Sequence, residues 1–259
     1  MSEEVLIDTV DYVRTITINR PARANALTPD VAMEISEACV DANFNDDVRV
    51  ILFTGSGERS FCSGADIKAS LADDARNKRM RGPLGSSVRN IHEVVLNTYK
   101  PTIAVLNGSA VAGGFELAAA CDMRIAGSHV RLGLPEAKRG MGAHFATVIL
   151  PRLVPAAIAF EMLYCGDYIS ADDAHRWGLV NHLTAPGEEM AKAREIAAKL
   201  VANAPITLRR IKETMVKASG MPLNAAIHLN EGISPYLSED RVEGFRAFAE
   251  KRKPEWKNR

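Results

Sequence analysis

The sequence predicts an α/β core followed by a helical C-terminal section. Short β-branched apolar runs, at residues 15–18, 49–54 and 102–106, alternate with longer helical patterns. From Glu188 onward the pattern is helical only, with breaks at Pro205, Gly220-Met221-Pro222 and Ser234-Pro235. The chain has 259 residues, 47% of them hydrophobic, enough for one large core with a smaller appendage.

The elements follow in order. Residues 5–8 and 12–18 read as two strands with a turn near Asp8-Thr9. Thr28-Pro29-Asp30 starts a helix that runs to about Asn43: Thr28 caps, Pro29 suits the first helical position and Asp30 the positive first turn. Residues 49–54 form a strand ended by Gly55-Ser56-Gly57, and residues 60–68 give a second strand end with small residues and a helix start. Residues 69–89 are polar and mixed in charge, the expected mobile segment or lid. Helical periodicity resumes at 88–99, with Ile91, Val94, Val95 and Leu96 apolar. The run 102–106, bounded by Pro101 and Asn107-Gly108, is a buried strand. Residues 115–121 after Gly113-Gly114 are apolar all round apart from Glu116, so this helix is buried. Strands are expected at 123–126, 130–134 and 179–181, and helices at 143–150 (ended by Pro151), 156–164 and 170–177.

Composition excludes several functions. Formal net charge is zero, which argues against a whole-surface basic footprint for nucleic acid. The short cluster Arg76, Lys78, Arg79 and Arg81 has no interleaved aromatic residues to stack on bases, so nucleic acid is not an expected partner. The four cysteines are far apart and form no CxxC pair, and three lie in apolar or small-residue settings, which suggests buried free thiols there and a reducing compartment. With an acidic N-terminus lacking a signal-type apolar run, a cytoplasmic location is expected, and no membrane partner. There is no HExxH, no phosphate loop, no GxSxG elbow and no GxGxxG after a strand, and the six histidines are scattered. No metal site and no separate cofactor are expected.

What remains is two Gly-rich turns after strands, at Gly64-Ala65 and Gly113-Gly114, and two carboxylates, Glu116 and Glu136. A carboxylate in a buried helix is costly unless satisfied or used. Two backbone N–H groups aimed at one point stabilise a developing oxyanion, and two carboxylates in the same pocket can act as acid and base. The bland alternatives are a structural carboxylate for Glu116, a helix-start charge for Glu136, and a cap for Asp66.

Asn19-Arg20-Pro21…Asn25-Ala26-Leu27, Phe61-Cys62-Ser63-Gly64-Ala65-Asp66-Ile67, Lys100-Pro101…Asn107-Gly108…Gly113-Gly114-x-Glu116-Leu117…Cys121-Asp122 and Gly133-Leu134-Pro135-Glu136 stand in this order. With Gly178-Leu179-Val180 and the C-terminal Phe248-Ala-Glu-Lys251, they make the chain resemble the crotonase (enoyl-CoA hydratase/isomerase) superfamily over nearly its whole length. The resemblance implies a spiral of repeated ββα units over residues 1–195 and a helical section over 196–259 for oligomerisation, as a homotrimer or a dimer of trimers. It implies an acyl-CoA substrate whose thioester oxygen lies between the N–H groups of Ala65 and Gly113. Glu116 and Glu136 would activate one water for addition to a 2-enoyl-CoA, with Glu136 the proton donor to C2. Asp66, Ile67, Lys68 and Gly114 would line the substrate, and Phe248 and Lys251 would meet the CoA, often from a neighbouring subunit. The alternatives are other acyl-CoA chemistry on the same oxyanion hole (double-bond isomerase, hydrolase or lyase) and a non-catalytic RNA- or protein-binding relative.

One departure from the family stands out. Residues 140–147 carry Met141, His144 and Phe145 where small residues are usual. The expectation is a differently shaped acyl pocket, with the substrate decided by residues 80–91 and 140–147.

Overall fold

A computed structural model describes residues 3–66, 89–230 and 232–259. Ile67, Lys68, the basic cluster at 76–81 and most of the expected lid lie outside the described residues.

The first hairpin joins β1 (Val5–Val10) to β2 (Val13–Ile18), antiparallel, with Val10 opposite Val13. The turn is at Asp11-Tyr12, three residues later than the sequence reading placed it. Both residues have positive φ (50° and 65°), the backbone that a two-residue hairpin loop requires. The helix α1 (Pro29–Phe44) begins as expected: the Thr28 side chain accepts from the Val31 N–H, and Pro29 takes the first position.

Strands β3 (Val50–Gly55), β5 (Thr102–Leu106), β7 (Met123–Gly127) and β10 (His182–Thr184) continue one sheet in parallel. Its order is β1-β2-β3-β5-β7-β10. A second sheet takes three-residue strands, β4 (Ser60–Cys62), β6 (Ser109–Val111), β8 (Arg131–Gly133) and β9 (Tyr168–Ser170), in the order β4-β6-β8-β9. The chain therefore visits the sheets in turn: β3 then β4, β5 then β6, β7 then β8. Helices return it to the next round, including α2 (Ile91–Leu96) before β5 and α3 (Gly113–Ala120) before β7.

The large sheet is covered on both faces, which explains its near-continuous apolar runs. Ile51, Phe53, Ala104 and Leu106 face a core shared with Val31, Ile35 and Cys39 of α1. Val50, Leu52, Ile103 and Val105 face the other way, onto Ala193 and Ala197 of a C-terminal helix, α7 (Glu189–Val201). The division between residues 195 and 196 falls inside this helix.

Three further helices lie between β8 and β10: α4 (His144–Leu153), α5 (Ala156–Cys165) and α6 (Ala171–Arg176). Pro151 lies within α4 instead of ending it. The expected strand at 179–181 begins instead at His182, because Leu179 and Val180 donate backwards to the Ala174 carbonyl and close α6. The last section holds α8 (Pro205–Ala218), α9 (Leu223–Ile227) and α10 (Glu239–Glu250). Among the described residues no helix is long and apolar enough to cross a membrane.

One contact sets the spacing between the sheets and the buried helix. A Cβ on Gly114 would lie 2.1 Å from the Cys62 carbonyl oxygen, so the start of α3 touches β4 backbone to backbone. Gly114→Ala is therefore expected to destabilise the fold by about 1–3 kcal/mol or more, as overpacking against an unyielding neighbour does. Thermal unfolding would show it as a Tm loss of several degrees; an unchanged Tm would mean that α3 can back away from β4.

Candidate active site

Ala65 follows β4 and forms a single parallel bridge with Leu27. The Leu27 N–H donates to Gly64 O (2.8 Å) and the Asp66 N–H donates to Leu27 O (2.9 Å). These bonds use the residues on either side of Ala65. Its own N–H is thereby left pointing away from Leu27, and Ala65 is one of the residues that line the cavity.

The Asn-Arg-Pro motif frames this segment. Buried Asn25 donates to the carbonyls of Ser60 (2.6 Å) and Ser56 (3.0 Å) and accepts from the Arg20 N–H (3.0 Å). Its φ of 54° is one that asparagine tolerates better than most residues. The Arg20 guanidinium donates to Ala26 O (2.6 Å) and pairs with Asp66 (3.2 Å). The Asp66 side chain is thus engaged with Arg20 in that frame, and Asp66 is not among the residues lining the cavity.

Gly113 opens α3, and the N–H groups of a helix's first turn have no acceptor within the helix. Ala112, just before it, has φ 53° and ψ −131°, a sparsely populated backbone for a residue with a Cβ. Such a conformation costs on the order of 1–3 kcal/mol and persists only where the surroundings enforce it. Here the Ala112 N–H donates to Gly133 O (2.9 Å) and its carbonyl accepts from the Glu116 N–H (3.0 Å). The strain sits where the backbone turns a helix N-terminus toward the cavity. Gly114 is buried against Cys62 and does not line the cavity.

Glu116 is only 8% exposed. Its Oε1 accepts from the Ala146 N–H (2.8 Å) in the first turn of α4, so its cost of burial is partly met. Burial still pushes its carboxyl above the ordinary carboxylate range, against the pull of the Ala146 and Phe145 N–H groups. Glu136 stands in a 3-10 turn, Pro135–Arg139, and is equally buried. Among the described residues its Oε2 has no hydrogen-bonding partner. Burial raises its pKa too, and the charge of Glu116 adds to the rise.

One cavity of about 760 Å³ is lined by Ala65, Gly113, Glu116 and Glu136 together. Met141, His144 and Phe145 line it as well. A second, largely apolar cavity of about 510 Å³ shares Glu136, Met141 and Gly142 with it and runs between α4 and α5, past Ala159, Phe160 and Leu163. Phe248 is 86% exposed on α10, Lys251 caps that helix, and neither lines either cavity. Among the described residues no group of three or more His, Cys, Asp or Glu side chains is arranged to hold a metal ion.

Sequence reasoning passed over His92. It is buried in α2, its Nε2 lies 2.9 Å from Gly113 O, and its ring stacks on Phe145 at 5.3 Å. Its neighbours Ile91, Val94 and Val95 are all buried. A histidine in such a run was the available signal, but its partners come from α3 and α4 and could not be read locally.

Comparison with known proteins agrees with this architecture. The family model described as enoyl-CoA hydratase/isomerase matches residues 9–259. The (E)-benzylidenesuccinyl-CoA hydratase of Thauera aromatica is 36% identical over 256 residues, covering 96% of this chain and 97% of that protein. The carnitinyl-CoA dehydratase of Escherichia coli (strain K12) is 38% identical over 268 residues, covering all of both. Among solved structures, enoyl-CoA hydratase from Mycobacterium tuberculosis H37Rv matches with a TM-score of 0.90 at 33% identity over the full length of both chains. The enoyl-CoA hydratase from Bacillus anthracis matches at 0.89 and 32%, over 99% of this chain and 100% of that one. The chain belongs to the enoyl-CoA hydratase/isomerase family, the crotonase superfamily of the sequence reading. It is an enzyme of the hydratase, or hydro-lyase, type.

The raised pKa of Glu136 has a consequence for stability. Its carboxyl holds a proton more tightly folded than unfolded, so the folded state loses stability as pH rises from the unfolded value of about 4.3 through the raised one. Glu136→Gln removes that loss. The variant is expected to melt above the parent at pH 8, with the gain disappearing toward pH 4. A Tm difference that does not change with pH would contradict this.

Proposed function

We propose that the enzyme adds water across the 2,3 double bond of a 2-enoyl-CoA to give a 3-hydroxyacyl-CoA. One observation carries the reading: two buried carboxylates, Glu116 and Glu136, share a cavity with the backbone of Ala65 and Gly113. The thioester oxygen takes hydrogen bonds from the Ala65 and Gly113 N–H groups, and the positive end of α3 adds to them. Conjugation through that carbonyl makes C3 electrophilic. Glu116, as the carboxylate, removes a proton from water while the water oxygen attacks C3. The electrons pass to the thioester oxygen as an enolate. Glu136, whose burial favours the protonated form, returns a proton to C2 as the enolate collapses. No separate cofactor is invoked; coenzyme A is part of the substrate.

The acyl tail occupies the apolar cavity between α4 and α5, which meets the catalytic cavity at Glu136, Met141 and Gly142. The chain works as a homotrimer or a dimer of trimers. In support, α8, α9 and α10 expose Met215, Leu223, Ile227 and Phe245, side chains that a monomer would leave in water. Phe248 and Lys251 would then meet the CoA of a neighbouring copy.

Hydration of a short 2-enoyl-CoA, followed by loss of absorbance of the conjugated thioester and by a mass gain of one water, tests the reaction. Glu116→Gln and Glu136→Gln are each expected to lower kcat by about 10²–10⁴, the usual worth of an acid or base, with little change in KM. Full activity in both variants would overturn the assigned roles. A product of unchanged mass would replace hydration by double-bond isomerisation.

A further inference from the structure

His92 is not used by the mechanism above, yet its side chain is among the most constrained in the cavity wall. The Gly113 carbonyl can only accept, so the proton of the neutral ring is on Nε2, and Nδ1 carries a lone pair. Burial pushes the imidazolium pKa down to about 4, which keeps the ring neutral near pH 7. Stacking on Phe145 fixes the ring plane.

Nδ1 is then an acceptor buried without a hydrogen-bond partner among the described residues. It lies 3.9 Å from Glu116 Oε2. The other Glu116 oxygen is occupied by the Ala146 N–H, so Oε2 is the one left for chemistry. Two acceptors 3.9 Å apart repel unless a donor stands between them. A water molecule has two O–H donors and spans this separation at ordinary hydrogen-bond lengths of about 2.8 Å; because Nδ1 is buried, admitting it takes a small shift of the ring or the carboxylate. His92 and Glu116 both line the cavity that would hold the acyl group.

We propose that His92 Nδ1 is a binding group for the attacking water and for the 3-hydroxyl it becomes. One hydrogen of the water points at Glu116 Oε2 and is transferred there as the oxygen bonds to C3. The other hydrogen points at Nδ1 and stays on the oxygen, so the product hydroxyl keeps that hydrogen bond. The enzyme thus recognises 3-hydroxyacyl thioesters through a contact that a thioester lacking the hydroxyl cannot make. The inference rests on the hydratase reading, but its binding arm can be measured without turnover.

The experiment compares His92→Phe and His92→Asn with the parent enzyme. Phenylalanine keeps a ring against Phe145 and removes the acceptor; asparagine puts an amide oxygen near the position of Nδ1. Inhibition constants are measured for a 3-hydroxyacyl-CoA and for the saturated acyl-CoA of equal length, together with kcat, KM and Tm. In His92→Phe, kcat is expected to fall at least tenfold with KM for the enoyl-CoA nearly unchanged. Inhibition by the 3-hydroxyacyl-CoA should weaken about tenfold, the worth of one hydrogen bond, while the saturated thioester binds as before. His92→Asn should recover part of that preference. Equal weakening of both inhibitors with a lowered Tm, or wild-type preference and kcat in His92→Phe, would overturn the proposal. A parent enzyme that hydrates no enoyl-CoA would instead overturn the hydratase reading, leaving the two-inhibitor comparison to judge His92.

Discussion

The start of α3 and the end of β4 meet without side chains between them. Gly114 rests on the Cys62 carbonyl where a methyl group would be 2.1 Å away. Much of the site follows from that approach. It places Gly113, the first residue of the helix, beside the Ala65 turn: a Cβ on Gly113 would stand 3.8 Å from the Ala65 nitrogen. Two residues 48 positions apart in the chain, Ala65 and Gly113, thus border one cavity. The strained Ala112 backbone and the Asn25 and Arg20 hydrogen bonds hold the two sides of this contact in place.

The electrostatics of the cavity depend on the same buried helix. With no polar face of its own, α3 carries Glu116 into the interior, where the Ala146 N–H at the α4 N-terminus donates to it. Glu136 has less: its Oε2 is unpartnered among the described residues, and the charge of Glu116 discourages a second one. One carboxylate is thus supported by backbone N–H groups while the other keeps an unpartnered oxygen among the described residues, two unlike environments within one cavity. Holding them there lowers stability, a cost set against the large apolar core on both faces of the long sheet.

Much of this was legible in the residues. The run 102–106 had to be a buried strand, and a helix with no polar face had to be buried with Glu116 inside it; both stand where expected. The Thr28-Pro29 helix start was equally local. The three-residue strands β6 and β9 were not foreseen, because so short a segment shows no period and is defined only by its neighbours. Pro151 reads as a helix end, yet it sits in α4 with Leu153 beyond it, where tertiary packing outweighs local propensity. His92 escaped notice for a related reason: its meaning comes from Gly113, Glu116 and Phe145, which approach it only after folding. Phe248 and Lys251 are the opposite case, positions given meaning by family resemblance that this chain alone does not bring to the cavity.

The proposed mechanism gives Gly113 a part in chemistry and its neighbour Gly114 a part in packing, and one substitution separates the two. A methyl group at residue 113 meets nothing closer than 3.6 Å, so Gly113→Ala should fold normally. That methyl would nevertheless intrude beside the Ala65 nitrogen, where the thioester oxygen is to be held. Gly113→Ala is expected to lower kcat for enoyl-CoA hydration by about 10²–10³, the loss typical of a spoiled oxyanion donor, at an unchanged Tm. A Gly113→Ala enzyme with wild-type kcat would contradict that mechanism.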